Sequence, residues 1–151
     1  MKTVLVVGGT DMLGLSVARK LNENGCRVRV LTRDIDKARL MMASDFEFVQ
    51  GDVRQKETVS KALENCYEVH ISLNDRPTPQ SYDWIEYQGS ATIARLAREA
   101  GVERLTYLLG DWVAEKNTWF METLDLFVNG KHSVLSKRKI KQTLIQILSI
   151  I

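Results

Sequence analysis

A continuous apolar run followed at once by a glycine-rich turn most constrains how this chain can fold. Residues 4–7 read Val-Leu-Val-Val, and Gly8 and Gly9 follow directly. The next segment, 12–24, carries its apolar residues at helical spacing and stops at Gly25. A buried strand, a tight turn and a helix in this order predict the first unit of a parallel α/β sheet.

The same alternation continues along the rest of the chain. Strands are predicted over 2–7, 27–32, 46–50, 68–73, 104–109 and 142–148, and helices over 12–24, 34–42, 55–65, 81–100 and 111–139. Right-handed crossovers between parallel strands leave few topologies. We therefore expect a single doubly wound, Rossmann-like α/β domain over 1–151, with about six strands in the order 3-2-1-4-5-6. Asp34 is expected to cap the second helix.

Composition excludes several other classes of protein. The 151 residues carry 21 Lys and Arg against 19 Asp and Glu, and this balance offers no electrostatic case for a nucleic-acid or membrane-surface partner. No apolar run approaches the roughly 20 residues that a membrane span needs, and the run at the N-terminus is too short for a signal peptide. Cys26 and Cys66 lie in no disulfide or metal motif and are expected to be buried thiols. A cytoplasmic protein without a metal site is therefore expected.

The glycine-rich turn stands where a phosphate-binding loop would stand. The N-terminus of a helix offers unpaired N–H groups and a partial positive charge to a pyrophosphate. Gly8 is expected to make the tight turn, and Gly14 to let the helix pack closely on the strand. The candidate loop consists of Gly8, Gly9, Thr10, Asp11, Met12, Leu13 and Gly14.

Asp11 departs from the dinucleotide-binding fingerprint, which has a glycine at this position. A carboxylate about 5 Å from a phosphate charge repels it by roughly 1–3 kcal/mol, and the side chain also keeps the backbone away from the pyrophosphate. Dinucleotide affinity is therefore expected to fall by about tenfold to thousandfold. The alternative is that Asp11 caps the first helix and the loop binds nothing.

The residue after the second strand is Arg33, where an acidic residue would bind a ribose hydroxyl and select NAD. Arg33 and Lys37, one helical turn further on, instead suit the 2′-phosphate of NADP. The alternative is an arginine that is simply solvated at the end of a strand.

Two further strand ends complete the candidate site. Asp52 and Val53 follow the third strand, where a carboxylate could accept a hydrogen bond from an adenine amino group. Asp52 could also cap the helix that starts near Gln55, and the two roles are compatible. Ser72 and Leu73 follow the fourth strand, where the ribose and nicotinamide of a dinucleotide would pass.

Together these residues resemble the short-chain dehydrogenase/reductase superfamily, and within it the atypical, NmrA-like branch of NAD(P)-binding proteins. The resemblance rests on an ordered set of motifs: Gly8-Gly9-Thr10 with Gly14, Arg33, Gly51-Asp52-Val53, Ala100 to Leu105 leading into a strand, and Gly130-Lys131-His132. It implies a Rossmann-like fold and NADP as the preferred cofactor, with NAD possible.

The resemblance fails at the residues that usually carry the chemistry. Typical members of the superfamily use a serine, and a tyrosine four residues before a lysine that also binds the ribose. Lys131 matches that lysine, but Phe127 stands at the tyrosine position and 108–110 reads Leu-Leu-Gly without a serine. No catalytic residue is therefore assigned.

Three functions follow from these departures. The first is an NADP-binding sensor or regulator. The second is a small NADPH-dependent oxidoreductase acting on a quinone or carbonyl compound, and the third is an interaction module without a cofactor. Members of the family continue past the sixth strand into a segment that covers the substrate cleft, whereas this chain stops at Ile151. An uncovered apolar cleft is expected to favour a homodimer or a protein partner.

Overall fold

The computed structural model describes residues 1–42, 45–73 and 88–107, which form a parallel sheet with helices on both faces. The strands are β1 (Thr3–Val7), β2 (Arg27–Thr32), β3 (Glu47–Gln50), β4 (Glu68–Ile71) and β5 (Arg104–Tyr107), and the helices are α1 (Met12–Glu23), α2 (Ile35–Met41), α3 (Lys56–Leu63) and α4 (Ser90–Glu99). None of these helices is long and apolar enough to cross a membrane.

The strands lie in the order β3-β2-β1-β4-β5, and every pair is parallel. This confirms the predicted doubly wound, Rossmann-like class and the order of its first five strands. The sixth predicted strand, 142–148, lies outside the described residues. The direction of winding reverses between β1 and β4, where the register aligns Val6 with His70. Open α/β sheets bind their ligands at such a switch point.

Strand β1 is buried on both faces, which explains its unbroken apolar sequence. Leu5 and Val7 belong to the core under α3 and α4. Val4 and Val6 belong to a second core that includes Ala18 of α1. The side chains of these four residues are at most 1% exposed. A central strand between two helical layers has no solvent-exposed face, so apolar and polar residues do not alternate along its sequence.

Three predicted helix ends are confirmed. Gly25 and Gly101 follow α1 and α4 with φ of 79° and 74°, a left-handed conformation that glycine adopts without a steric penalty. Asp34 caps α2, because its Oδ1 accepts the backbone N–H of Lys37 at 2.9 Å.

Helix α3 ends at Leu63, two residues before the predicted end. Asn65 takes a left-handed φ of 58°, which breaks the helix. The Arg29 guanidinium of β2 then closes the helix end, since Nη1 donates to the carbonyl oxygens of Ala62 at 2.8 Å and Glu64 at 2.7 Å. A long-range contact of this kind leaves no signal in the local sequence.

Two other elements differ from their predicted bounds. Strand β4 was expected to run to Leu73, but its ladder with β1 ends at Ile71, and only the N–H of Ser72 still reaches the Val7 carbonyl, at 2.9 Å. Within the described residues α4 begins at Ser90. The predicted helical segment 81–87 lies outside them.

The two cysteines are free thiols, as expected, but only one is fully buried. Cys66 is buried, and Cys26 is partly exposed. Burial raises the pKa of the Cys66 thiol, and nearby Arg29 offsets part of this rise.

Candidate functional site

A cleft of about 390 Å³ opens at the carboxyl ends of β1, β2, β3 and β4. Ligands of open parallel sheets bind at this edge, because the loops that follow the strands converge there. The cleft is lined by Val7, Gly8, Thr10, Asp11, Leu31, Thr32, Arg33, Asp34, Lys37, Gly51, Asp52, Val53, Ser72 and Leu73.

Gly8 makes the tight turn at the end of β1. Its φ is 84°, and a Cβ there would lie 2.0 Å from the carbonyl oxygen of Ser72. Gly14, in the first turn of α1, packs on the same turn, since a Cβ there would lie 2.2 Å from the Gly8 carbonyl oxygen. These two glycines therefore bring β4 and the N-terminus of α1 into direct contact with the turn.

Asp11 occupies the N-cap position of α1 but does not cap it with its side chain. Its φ of −84° and ψ of 161° are extended backbone that any residue adopts, so the fold accepts an aspartate there. Its N–H donates to the Gly8 carbonyl at 3.0 Å. Its Oδ2 is buried, and no described residue donates a hydrogen bond to it. What Asp11 adds to the cleft is therefore volume and charge, not backbone strain.

Two cationic side chains line the cleft next to the end of β2. Arg33 follows the strand and Lys37 lies in the first turn of α2, and both are exposed. The neighbouring Asp34 uses its side chain to cap α2. The Thr32 hydroxyl accepts the Asp34 N–H at 3.2 Å and lies 3.1 Å from the Asp34 carbonyl oxygen, which fixes the turn that carries Arg33.

The Asp52 carboxylate lines the cleft after β3, the strand next to β2, and is bound by Arg54. Oδ1 accepts the Arg54 N–H and Nε–H, both at 2.9 Å, and Oδ2 accepts from Nη2. These hydrogen bonds hold the pKa of Asp52 below its ordinary value; burial opposes them, and the charge of Arg33 adds to the lowering. The N-cap residue of α3 is Gln55, so the alternative in which Asp52 caps that helix is wrong.

Thr58, which the sequence did not place in the site, and Gly51 of the predicted Gly51-Asp52-Val53 motif fix the backbone of Asp52. The Thr58 hydroxyl accepts the Asp52 N–H at 3.2 Å, and it lies 3.0 Å from the Asp52 carbonyl oxygen and 2.9 Å from that of Gln55. A Cβ on Gly51 would lie 2.6 Å from the Thr58 Cβ. A glycine directly before the aspartate was the one local signal for this close approach.

Ser72 and Leu73 close the floor of the cleft beside the glycine turn. Ser72 is 3% exposed, and its carbonyl faces Gly8. Leu73 and Val53 both lie near Gly89, just before α4, where a Cβ would sit 3.5 Å from Val53 and 3.7 Å from Leu73. The N-terminus of α4 therefore lies directly behind Val53 and Leu73, which line the cleft.

Gly9, Met12 and Leu13, which the sequence placed in the site, do not line the cleft. Gly9 is buried against Val30 and Val6, while Met12 and Leu13 are 76% and 47% exposed at the start of α1. Lys131, together with the positions 108–110 and 127 that bear on catalysis, lies outside the described residues. The described part of the chain contains no cluster of His, Cys, Asp or Glu that could hold a metal ion.

A doubly wound sheet with a glycine turn at its switch point places the molecule in the Rossmann-like class of nucleotide-binding folds. The sequence profile of the NmrA-like family matches residues 1–118, and the chain belongs to this family.

Similar proteins have different roles. The photosystem II assembly factor Ycf39 of Synechocystis is 30% identical over 69% of this chain and 32% of its own length. An NAD(P)H azoreductase of Xenophilus azovorans is 32% identical over 71% of this chain and 35% of its own. The NADPH-dependent quinone oxidoreductase QOR2 of Escherichia coli, solved with NADPH, shares the fold at a TM-score of 0.65 and 18% identity, over 85% of this chain and 45% of that one. The chain thus spans about a third of the length of the two curated relatives.

Proposed function

We propose that the cleft binds NADP(H), and that the protein uses this binding as a sensor or regulator rather than for proton transfer by a serine and a tyrosine. The observation that carries the proposal is the geometry of the cleft. A glycine turn is packed directly on the N-terminus of α1, where a pyrophosphate would bind, and Arg33 and Lys37 line the same cleft, where an adenosine ribose would lie.

The two cations support NADP over NAD. A 2′-phosphate adds about two negative charges, and an arginine can hold such a group with two parallel hydrogen bonds. Asp34 is the acidic residue nearest this position in sequence, and it is already engaged by the N–H of Lys37. Asp52 and Val53 would meet the adenine, and Ser72 and Leu73 the ribose beyond the pyrophosphate.

The test is a comparison of 2′-phosphorylated and unphosphorylated ligands. Melting temperature and titration calorimetry are measured with NADP, NAD, 2′,5′-ADP and 5′-ADP; the two short ligands probe the adenosine half of the cleft alone. We expect each 2′-phosphorylated ligand to bind at least about tenfold more tightly than its partner. At 100 times its Kd a ligand stabilises by about 2.7 kcal/mol, or roughly 5–10 °C.

Matched variants measure the contribution of Arg33 to this preference. Arg33→Gln should reduce the difference between NADP and NAD, and Lys37 should retain part of it. Arg27→Gln removes the same charge from an exposed position at the other end of β2 and should keep the difference. A native protein that binds no dinucleotide would overturn the proposal and favour an interaction module.

An NADPH-dependent oxidoreductase is the second candidate, and the similarity to the azoreductase favours it. Hydride transfer to a quinone requires less proton donation by the enzyme than carbonyl reduction does. This candidate predicts NADPH oxidation that depends on an added quinone, carbonyl compound or azo dye. Binding of NADPH without oxidation over such a panel would support the sensor.

The cytoplasmic location and a homodimer or protein partner over the cleft, both inferred from the sequence, remain part of the proposal. Light scattering of the purified protein with and without NADPH would measure the oligomeric state. A protein that is monomeric under both conditions would exclude the proposed homodimer.

A further inference from the structure

Arg54 is not among the residues that line the cleft, yet it holds one of them through three donor groups. Its backbone N–H and its Nε each donate to Oδ1 of Asp52, and its Nη2 donates to Oδ2. The Arg54 side chain is 53% exposed, whereas that of Asp52 is 15% exposed. The pair therefore has a solvent side, formed by Arg54, and a cleft side, formed by Asp52.

These contacts leave the carboxylate with little remaining capacity. An ionised carboxylate offers about four lone-pair positions, and Arg54 occupies three of them. The position that remains is on Oδ2. A ligand in the cleft thus meets a carboxylate in one fixed orientation with a single acceptor position.

The backbone of Asp52 is fixed by a separate set of contacts. Thr58 on α3 bonds the Asp52 main chain, and Gly51 allows that approach. Removing the Arg54 side chain should therefore leave one of the three hydrogen bonds from Arg54 to the carboxylate, that from the backbone N–H, and loosen the carboxylate without displacing the loop. The orientation of the carboxylate and the position of the loop can be altered independently.

We propose that Arg54 is a positioning residue that makes the cleft select a purine with an exocyclic amino group, by holding the Asp52 carboxylate in one orientation. The inference rests on the proposed dinucleotide binding. The amino group of adenine donates to the remaining Oδ2 position. Hypoxanthine carries a carbonyl oxygen at the same place, so an acceptor would face an acceptor. A hydrogen bond to a charged group corresponds to a preference of about tenfold to hundredfold.

The experiment compares NADP with its hypoxanthine counterpart, nicotinamide hypoxanthine dinucleotide phosphate. Affinities for both are measured by titration calorimetry on the native chain, Arg54→Met and Lys56→Met. Arg54→Met keeps an apolar stem of similar length and removes the charged fork. Lys56→Met is the matched control, because it removes one positive charge from an exposed position two residues away, at the start of α3.

The readout is the ratio of the two affinities, since a general loosening of the loop would weaken both ligands equally. We expect a ratio of at least about ten in the native chain and in Lys56→Met, and below about three in Arg54→Met, mostly through weaker NADP binding. Arg54→Lys, which keeps the charge without the fork, should also lower the ratio and serves if Arg54→Met folds poorly.

The outcomes separate this inference from the function on which it rests. Equal binding of the two ligands by the native chain, an unchanged ratio in both Arg54 variants, or an equal loss in Lys56→Met would overturn the inference alone. Failure of the native chain to bind either ligand would overturn the proposed function, and the inference with it.

Discussion

At the scale of single residues, Asp11 is the side chain with the largest expected influence on ligand affinity. Its backbone conformation suits any residue, and its Oδ2 is buried without a hydrogen-bond donor among the described residues. The aspartate therefore acts on a bound pyrophosphate through charge and volume. These two effects can be separated by substitution.

Asp11→Asn should raise NADP affinity by about tenfold, because it removes a repulsion of roughly 1–3 kcal/mol and keeps the volume. Asp11→Gly should raise it further, since the backbone can then approach the pyrophosphate. Titration calorimetry measures both. Asp36→Asn, at an exposed position in the first turn of α2, is the matched control and should leave affinity unchanged. Affinities that do not rise in either Asp11 variant would contradict this account.

Gly8 and Gly89 should respond oppositely to alanine. Gly8→Ala combines a positive φ with a Cβ 2.0 Å from the Ser72 carbonyl oxygen and should lower the free energy of unfolding by roughly 2–5 kcal/mol. Gly89 has helical φ and ψ of −63° and −49°, and its nearest neighbour lies 3.5 Å away. Gly89→Ala should therefore raise the free energy of unfolding by about 0.4–1 kcal/mol. Urea denaturation measures both. A loss of stability in Gly89→Ala would contradict this expectation and show that Val53 and Leu73 leave no space for a Cβ at Gly89.

At the scale of elements, Arg29 joins β2, β3 and the end of α3. Its Nη1 donates to the carbonyls of Ala62 and Glu64, and its Nε donates to Glu47 Oε1 at 2.9 Å. The Arg29 side chain is only 13% exposed. The hydrogen bond to the Ala62 carbonyl is partly buried, where an unpaired acceptor is costly, whereas those to Glu64 and Glu47 are exposed to solvent.

Arg29→Met should lower the free energy of unfolding by about 1–3 kcal/mol, because it leaves the partly buried Ala62 carbonyl without this donor, whereas water can replace the donor at Glu64 and Glu47. Arg27→Met removes an exposed arginine from the same strand and should change stability by less than about 0.5 kcal/mol. Urea denaturation of the two variants gives the comparison. Equal effects would mean that Arg29 acts through charge alone.

At the scale of the whole molecule, a buried polar chain between β4 and β5 makes stability depend on pH. The Thr106 hydroxyl donates to Glu68 Oε1 at 3.2 Å, so it accepts from His70, whose Nδ1 lies 2.8 Å away. This arrangement assigns the proton of the neutral ring to Nδ1. Nε2 is buried, and no described residue bonds it. Burial lowers the pKa of His70 to about 4.

The sign of the pH effect follows from the neutral histidine. The pKa of His70 is lower in the folded chain than its ordinary 6.5, so its contribution is complete above pH 6.5 and is lost as the pH falls towards 4. The difference corresponds to roughly 3 kcal/mol. Burial raises the pKa of Glu68, and this carboxyl has the opposite slope: its contribution is present at low pH and is lost as the pH rises through its folded pKa.

His70→Leu should therefore flatten the decline of stability between pH 6.5 and 4, because the variant has no ring to protonate. The free energy of unfolding in urea, measured across this range, tests the expectation. His132→Asn, at the other histidine of the chain, should retain the decline of the native protein. A native chain whose stability is constant over this range would refute the role of His70.

Much of the fold was predictable because its signals are local. Unbroken apolar runs such as 4–7 are typical of strands buried on both faces, and glycines such as Gly25 mark helix ends. The order of the first five strands was predictable because few topologies are compatible with right-handed crossovers, and the structure confirms it. The end of α3 was not predictable, because Arg29 closes it from 33 residues away.

Some residues of the candidate site were likewise predictable from local sequence, and others were not. The glycine turn and the strand ends that carry Arg33, Asp52 and Ser72 follow from local pattern, and these residues converge on one cleft. The roles of Arg54 and Thr58 do not follow from it, because an arginine or threonine near a helix start is common on any surface. Their contacts with Asp52 became visible only in the geometry.

The class of fold, the glycine turn and the charge at the end of β2 can be read from local sequence, because strand burial, helix ends and tight turns depend on neighbouring residues. The role of each side chain depends on its contacts in the folded chain. The tertiary structure showed that Asp11 enters the cleft without strain, that Arg54 binds Asp52, and that no described residue donates a hydrogen bond to the buried Nε2 of His70. The physical reason is that desolvation and hydrogen-bond pairing depend on groups that the fold brings together from distant parts of the chain.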